Sequence, residues 1–198
     1  MIVPVDEAFA MTMASLRRGG VVAIPTDTVY GLAALPGDAS AMARLFELKA
    51  RSDAKSIAVL VADLGQARAL TDVTLDRFGP FWPGPLTVVL PRAGAAVLHL
   101  GGDDRTVGVR CPDSVFVRRL AAELGPIAAT SANRSGDATL TTAAAVAAEF
   151  PELSVVVDGG PLGAAASTVV DATLDPPVIL RPGPVTASAL GLGDTSGR

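Results

Sequence analysis

The chain has 198 residues, 49% of them hydrophobic, and a formal net charge of −4 at pH 7 with one cysteine. That length predicts a single domain, 1–198, with its core at about 6–184, and the single cysteine excludes an internal disulfide. The absence of a long apolar run and of a basic leader predicts a cytoplasmic location, and the acidic balance argues against nucleic acid recruited by whole-molecule charge.

Helix and strand signals alternate through the first half of the chain. A helix is predicted from Asp6 to Arg18, and a second one begins at the cap residue Asp38 and ends at Lys49-Ala50-Arg51. A third is predicted over 63–70, and buried strands over 21–24, 57–61 and 86–90. Between them, residues 78–85 carry three prolines and predict a rigid turn.

The second half contains shorter strands at closer spacing. Strands are predicted over 106–110, 127–129, 153–157, 167–171 and 178–181, and helices over 113–124 and 141–150, with a loop at 93–104. The last dozen residues are small and polar and are expected to fray. This order predicts an α/β (α+β) fold with a mixed parallel and antiparallel sheet and helices on its faces.

One polar stretch, 26–31, follows the first predicted strand. It places the hydroxyls of Thr26 and Thr28 and the carboxylate of Asp27 within three residues and closes on Gly31. Two interpretations stay open from these residues alone. The stretch is either a loop that holds a small polar ligand or a polar turn between a strand and a helix.

Other predicted strands also run into hydroxyls, amides or arginines. These residues are Thr130, Ser131, Asn133, Arg134 and Ser135 after one strand, Ser167 and Thr168 at the start of another, and Arg110 and Arg181 at the ends of two more. Strand ends are where ligands collect in α/β sheets. Guanidinium groups match carboxylates and phosphates, so the set indicates a small carboxylate substrate together with a polyphosphate.

Several other kinds of site find little support. No base accompanies a serine, threonine or cysteine for covalent catalysis, and one histidine and one cysteine are too few for a metal site of those ligands. His99 is expected in a loop, and no nucleophile elbow supports a triad through it. Cys111 is either a core residue or a thiol whose pKa the adjacent Arg110 lowers.

The motifs in order resemble the YrdC-like threonylcarbamoyl-AMP synthases. The resemblance covers residues 19 to about 184 and rests on Pro25-Thr26-Asp27-Thr28-Val29-Tyr30-Gly31, Lys49-Ala50-Arg51, Trp82-Pro83-Gly84-Pro85-Leu86-Thr87, Val109-Arg110, Ser131-Ala132-Asn133-x-Ser135-Gly136, Ser167-Thr168 and Leu180-Arg181-Pro182-Gly183. It implies a twisted sheet with a concave, locally basic cleft. It also implies an L-threonylcarbamoyladenylate synthase, a nucleotidyltransferase.

The resemblance implies that L-threonine, bicarbonate and ATP react to give threonylcarbamoyl-AMP and pyrophosphate. The product would supply a transferase machinery that makes N6-threonylcarbamoyladenosine in tRNA. Mg²⁺ would arrive with ATP through the phosphate oxygens, so few protein ligands are expected.

The same resemblance assigns roles to residues. Lys49 and Arg51 would be catalytic and would hold the phosphates. Cations at a helix C-terminus also have a purely structural explanation, because they complement the helix dipole. The threonine and bicarbonate side would comprise Thr26, Thr28, Arg110, Thr130 and Ser167. The ATP side would comprise Lys49, Arg51, Ser131, Asn133 and Arg181. The turn Trp82-Pro83-Gly84-Pro85 would shape the cleft wall.

Two departures keep rival interpretations open. Ser52 stands where relatives often have proline, and Lys55-Ser56-Ile57 replaces a common Lys-Pro-Leu. A functionally diverged paralogue on the same fold is therefore an alternative, as is a non-catalytic module that binds tRNA or double-stranded RNA. A carbamoyl-transfer domain of hydrogenase maturation proteins is a third, which the short chain without zinc-finger cysteines disfavours.

Overall fold

The computed structural model describes residues 1–50, 54–93 and 97–192. Within these ranges ten strands form one mixed sheet: β1 (Ile2–Pro4), β2 (Val22–Pro25), β3 (Tyr30–Ala34), β4 (Ala58–Leu60), β5 (Leu86–Pro91), β6 (Thr106–Arg110), β7 (Ile127–Ser131), β8 (Val156–Asp158), β9 (Thr168–Asp171) and β10 (Val178–Arg181). Their order across the sheet is β1-β8-β2-β3-β7-β4-β6-β5-β9-β10.

Five α-helices accompany the strands within those residues. They are α1 (Phe9–Arg17), α2 (Ala39–Lys49), α3 (Leu64–Arg68), α4 (Val115–Leu124) and α5 (Ala143–Glu149), with a 3-10 helix at Gly79–Phe81. Side chains cap four of them, since Asp38, Asp63, Ser114 and Thr142 each accept a backbone N–H of the first turn. No helix in these ranges is long and apolar enough to cross a lipid bilayer.

The helices cover both faces of the sheet, and each face has its own apolar core. On one face α1 and α4 pack through Leu16, Val117 and Leu120. On the other face α2 and α5 contribute Met42, Leu45 and Val146, together with the aromatic ring of Trp82. Because both faces are covered, the central strands read as continuous apolar runs. The predicted α/β fold with a mixed sheet is confirmed.

The stretch at 26–31 connects two strands, and the interpretation as a turn between a strand and a helix is wrong. Residues Tyr30–Ala34 form β3, all five of them buried, which pairs antiparallel with both β2 and β7. The hairpin turn is therefore held at the centre of the sheet. The reason is tertiary: the two neighbouring strands supply hydrogen bonds that local propensity does not reveal.

Strand β1 (Ile2–Pro4), which pairs with β8, was not predicted, and further differences lie at element ends. The first helix begins at Phe9, three residues later than expected, and the strand expected at 153–157 is observed at Val156–Asp158. Within the last dozen residues Leu190 is buried, and Arg77 Nη2 donates to its carbonyl oxygen at 2.9 Å. Residues 193–198, also expected to fray, lie outside the described residues.

Candidate active site

A concave cleft of about 480 Å³ opens over the middle strands of the sheet. Its walls include seven of the residues singled out from the sequence: Thr26, Thr28, Arg110, Thr130, Ser131, Ser167 and Arg181. They come from the β2–β3 turn and from strands β6, β7 and β10 and the start of β9. The prediction that hydroxyls and arginines at strand ends meet in one place therefore agrees with the geometry, although the role of each residue stays a prediction.

Small residues form the floor of this cleft. Gly31 on β3 and Gly108 on β6 both line it, with Ala58 and Ala129 beside them. A Cβ atom on Gly31 would lie 3.3 Å from the Thr130 carbonyl oxygen, and one on Gly108 would lie 3.2 Å from Ala58 Cβ. At these two glycines the central strands expose their backbone to the cleft. A larger side chain would occupy part of that space.

The turn between β2 and β3 is fixed by one hydroxyl. Thr26 Oγ1 accepts the backbone N–H groups of Thr28 and Val29, each at 3.1 Å, and donates to the Val29 carbonyl oxygen at 2.7 Å. Thr28 Oγ1 lies 3.1 Å from Thr26 Oγ1 and faces the cleft as well. Thr26 therefore shapes the turn, and Thr28 places its hydroxyl beside the guanidinium of Arg110.

Arg110, the last residue of β6, is held by acceptors from two segments distant in sequence. Its Nε donates to the Gly84 carbonyl oxygen at 3.1 Å, and its Nη1 donates to Thr28 Oγ1 at 3.0 Å. Its Nη2 donates to Asp27 Oδ1 at 2.6 Å, in an ion pair whose side chains are 7% and 12% exposed. The guanidinium is thus anchored before any ligand arrives.

Two opposing effects act on this buried guanidinium. Burial lowers the pKa of Arg110, because desolvation penalises the charged form, and the nearby Asp27 carboxylate raises it again. Arginine stays charged in proteins even so. Asp27, whose function the sequence left unexplained, therefore supplies the counter-charge of the cleft arginine.

The proline-rich turn supports Arg110 from behind. Trp82 is buried and its Nε1 donates to the Leu86 carbonyl oxygen at 2.7 Å, while Gly84 N donates to the Cys111 carbonyl oxygen at 2.8 Å. None of residues 82–85 is among those that line the cleft. Residues 82–85 were expected to shape the cleft wall. They instead position the backbone so that the Gly84 carbonyl oxygen accepts from the guanidinium of Arg110.

Lys49 lies behind the cleft wall, at the end of α2. It is 3% exposed, and its Nζ donates to the Ser131 carbonyl oxygen at 2.6 Å, to Ser131 Oγ at 3.1 Å and to Asn133 Oδ1 at 2.7 Å. Ser131 lines the cleft, whereas Lys49 and Asn133 do not. Its partner in the motif, Arg51, lies outside the described residues.

The far wall of the cleft is a chain of hydrogen bonds. Arg181 Nε and Nη2 donate to the Ser167 carbonyl oxygen at 3.1 and 2.8 Å, and Nη2 also contacts Ser167 Oγ at 3.0 Å. Ser167 Oγ in turn lies 2.9 Å from Thr87 Oγ1. Thr87 lines the cleft and was not predicted as a site residue, although it closes the Trp-Pro-Gly-Pro-Leu-Thr motif.

The open rim carries two further polar residues that the sequence did not indicate. Asp103 and Thr106 line the cleft, and hydrogen bonds from the exposed Arg105 lower the pKa of Asp103 to about 2. Nearby, Ser56 Oγ donates to the Gly101 carbonyl oxygen at 2.8 Å and links the two rim segments. The serine that departs from the common Lys-Pro-Leu pattern therefore has a local structural partner.

The two residues weighed as reactive groups lie away from the cleft chemistry. Cys111 is buried, its Sγ contacts the Ala62 carbonyl oxygen at 3.5 Å, and burial raises the pKa of the thiol. The alternative of a thiol activated by Arg110 is therefore wrong, and Cys111 is a core residue. His99 is exposed in a loop, as expected.

Comparison with known proteins gives consistent matches. Residues 14–183 match the Sua5/YciO/YrdC family, whose description reads "Telomere recombination". The threonylcarbamoyl-AMP synthase of Mus musculus is 38% identical over 89% of this chain and 67% of that protein, and the one of Bacillus subtilis is 39% identical over 91% and 55%. The chain thus spans about half to two thirds of the length of these relatives.

A solved structure agrees with the sequence matches. The crystal structure of Pyrococcus abyssi Sua5 complexed with L-threonine superimposes with a TM-score of 0.87 at 35% identity, over 95% of this chain and 59% of that one. The fold, the motif order and the match over residues 14–183 lead to one conclusion. The chain belongs to the Sua5/YciO/YrdC family.

Proposed function

We propose that the protein is an L-threonylcarbamoyladenylate synthase, a nucleotidyltransferase that converts L-threonine, bicarbonate and ATP to threonylcarbamoyl-AMP and pyrophosphate. The observation that carries this proposal is the convergence of Thr28, Thr130, Ser131, Arg110 and Arg181 on one cleft. Directional hydroxyls beside guanidinium groups suit an amino acid and a polyphosphate bound side by side. The names of the curated relatives support the same activity.

The chemistry needs little covalent help from the protein. The threonine amine attacks bicarbonate-derived CO₂, and a carboxylate oxygen of the resulting N-carboxythreonine attacks the α-phosphorus of ATP. The bond from that phosphorus to the bridging oxygen breaks, and pyrophosphate leaves. Both nucleophiles belong to substrates, so the protein acts by positioning them and by stabilising charge. This is consistent with a cleft whose polar side chains are hydroxyls and guanidinium groups, apart from the Asp103 carboxylate at the rim.

Arg110 would bind the threonine carboxylate. Its guanidinium is fixed at the cleft wall, and a planar fork is the geometry that a carboxylate accepts in two hydrogen bonds. Thr26 and Thr28 on the adjacent turn, with Thr130 and Ser167, would complete the threonine and bicarbonate side. The Pyrococcus relative was solved with L-threonine, which supports an amino acid pocket of this kind.

The nucleotide would lie toward Ser131, Asn133 and Arg181. Lys49 would contribute its positive charge from behind Ser131, where its Nζ lies 3.1 Å from the cleft hydroxyl, and Arg51 would add a second cation. Positive charge at this point would offset the negative charge that builds up at the α-phosphorus. Mg²⁺ would enter with ATP, held by phosphate oxygens.

The product would leave for a transferase that modifies adenosine in tRNA, in the cytoplasm. Threonylcarbamoyl-AMP is a mixed anhydride of a carbamic acid and a phosphate. Its carbonyl carbon is the electrophile, and AMP is the leaving group. The class of reaction that consumes it is therefore acyl transfer to an amine.

Pyrophosphate release from ATP tests the proposal. Release is expected only when threonine and bicarbonate are both present, and chromatography should identify a threonylcarbamoyl adenylate. Release that is indifferent to threonine would contradict the proposal. Strong, salt-dependent tRNA binding without ATP turnover would favour the non-catalytic RNA-binding alternative instead.

A further inference from the structure

Asp27 is a buried carboxylate to which the proposed reaction gives no task. Its Oδ1 contacts Arg110 Nη2 at 2.6 Å, and the side chain is 12% exposed. It is not among the residues that line the cleft, so a direct contact with the substrate is not indicated. Any contribution of Asp27 to binding must therefore pass through Arg110.

Bracing of the turn does not explain Asp27 either. The turn between β2 and β3 is closed by Thr26 Oγ1, which accepts from Thr28 N and Val29 N and donates to the Val29 carbonyl oxygen. The Asp27 carboxylate has no hydrogen bond to the backbone of this turn among the described residues. Its partner instead lies 83 positions further along the chain, at the end of β6.

The hydrogen-bond inventory of Arg110 shows what the carboxylate achieves. A guanidinium has five N–H groups. Gly84 O takes the one on Nε, Thr28 Oγ1 takes one on Nη1, and Asp27 takes one on Nη2. In the part of the chain that the structure describes, one N–H on each terminal nitrogen is left, and a carboxylate uses two such groups in a bidentate pair.

We infer that Asp27 is a positioning residue, which fixes Nη2 of Arg110 so that the guanidinium presents a two-pronged fork to the carboxylate of an α-amino acid in the cleft. This inference rests on the proposed function. Nη1 and Nε have their own acceptors, whereas Asp27 is the partner of Nη2 among the described residues. The consequence is discrimination between a carboxylic acid and its neutral amide.

The test compares two ligands on two proteins. Asp27→Ala would leave a buried guanidinium without its counter-charge and is expected to destabilise the fold, so Asp27→Asn, which keeps the shape and loses the charge, is used. Calorimetry measures the Kd of L-threonine and of L-threoninamide for the full-length wild-type protein and the variant. Asp76→Asn is the matched control, because it removes an ion pair with Arg68 on the exposed surface.

The preference for threonine over threoninamide is expected to fall about tenfold in Asp27→Asn, because a neutral amide oxygen holds Nη2 less strongly than a carboxylate does. The KM for ATP should stay unchanged, and so should the ligand preference of Asp76→Asn. A purely structural role of Asp27 would weaken the binding of threonine, threoninamide and ATP alike. Equal losses for the acid and the amide, or tighter threonine binding in the variant, would overturn the inference.

Failure of the inference can be distinguished from failure of the proposed function. If the wild-type protein binds threonine and turns over ATP but the preference is the same in Asp27→Asn, the inference alone is overturned. If the wild-type protein binds no threonine and releases no pyrophosphate with it, the proposed function is overturned and the inference falls with it.

Discussion

The two buried cations of the site differ in how they meet the cleft. Arg110 lines the cleft itself, and its guanidinium is held by Asp27, Thr28 and Gly84. Lys49 does not line the cleft; it lies behind Ser131 and donates to Ser131 and Asn133. Arg110 is therefore placed to contact a ligand directly, whereas any effect of Lys49 on a ligand would pass through Ser131 in front of it.

This difference separates two kinds of contribution. A group at the wall recognises a substrate and should affect its affinity, whereas a group behind the wall supports charge and geometry and should affect turnover. Both cations come to the site from distant parts of the chain, since Lys49 and Ser131 are 82 positions apart and Arg110 and Thr28 are also 82 apart. Substitutions at the two positions therefore test the comparison directly.

Lys49→Met should have the largest effect. The change removes the ammonium group that donates hydrogen bonds to Ser131 and Asn133. It also removes the positive charge behind the wall, so we expect kcat to fall about a hundredfold or more. Unsatisfied buried acceptors should also cost about 2 kcal/mol of stability, measured by denaturant unfolding beside the pyrophosphate assay. Arg44→Ala, on the exposed part of the same helix, is the control. A folded Lys49→Met protein with near-normal kcat would show that the lysine is not needed for turnover.

Arg110→Lys should have the next largest effect and a different signature. Lysine keeps the charge but cannot reach Asp27, Thr28, Gly84 and a ligand as a planar fork does. We expect the KM for threonine to rise roughly ten- to hundredfold, with a smaller change in kcat. Steady-state kinetics with threonine and ATP varied in turn measure this. A rise in the KM for ATP alone would place Arg110 on the nucleotide side.

Ser167→Ala should have a moderate effect. It removes the hydroxyl that links Thr87 and Arg181 but leaves the backbone carbonyl oxygen that accepts from the guanidinium. Because Arg181 keeps that anchor, we expect the KM for threonine to rise by about fivefold, in line with the loss of one neutral hydrogen bond. Steady-state kinetics measure this change. A loss of kcat/KM above a hundredfold would show that Ser167 contacts the reacting groups.

Cys111→Ala should have the smallest effect on activity. The thiol is buried, and its pKa is raised, so it stays protonated above the pH at which an exposed thiol ionises. We expect kcat within about twofold of wild type and slow alkylation by iodoacetamide at pH 8.5 until the protein is unfolded. Because the unfolded thiol ionises first, stability should decline as pH rises through this range, and not in the alanine variant. Rapid alkylation of the folded protein would contradict the assignment to the core.

The sequence was a good guide to the cleft wherever a strand leads straight to a polar side chain. Buried strands end at or shortly before Thr28, Ser131 and Arg110. Because ligands collect at strand ends in such sheets, these side chains were expected to lie together, and all three line the cleft. No partner for Asp27 could be predicted from the sequence, because its ion pair joins residues that are 83 positions apart in the chain, with three strands between them. Local pattern carries no information about such a pairing.

Two further features depend on tertiary context. Strand β3 contains glycine and two alanines, which have low strand propensity, and it forms because β2 and β7 pair with it on both sides. Lys49 was placed correctly at a helix end, but the direction of its side chain follows from the packing of α2 against the sheet. The resemblance implied that Lys49 holds phosphates but gave no burial for it, and the structure leaves the residue 3% exposed.

The glycines on the floor of the cleft set a limit on the size of what can bind. A single methyl group at position 31 would meet a backbone oxygen at 3.3 Å, and one at position 108 would meet Ala58 at 3.2 Å. The atoms that these methyl groups would meet are carbon atoms and one backbone oxygen, not the hydroxyls or the guanidinium groups of the walls. The dimensions of the ligand space and its polar chemistry are therefore encoded at separate positions, so the selection of ligands by size can change while every polar contact is kept.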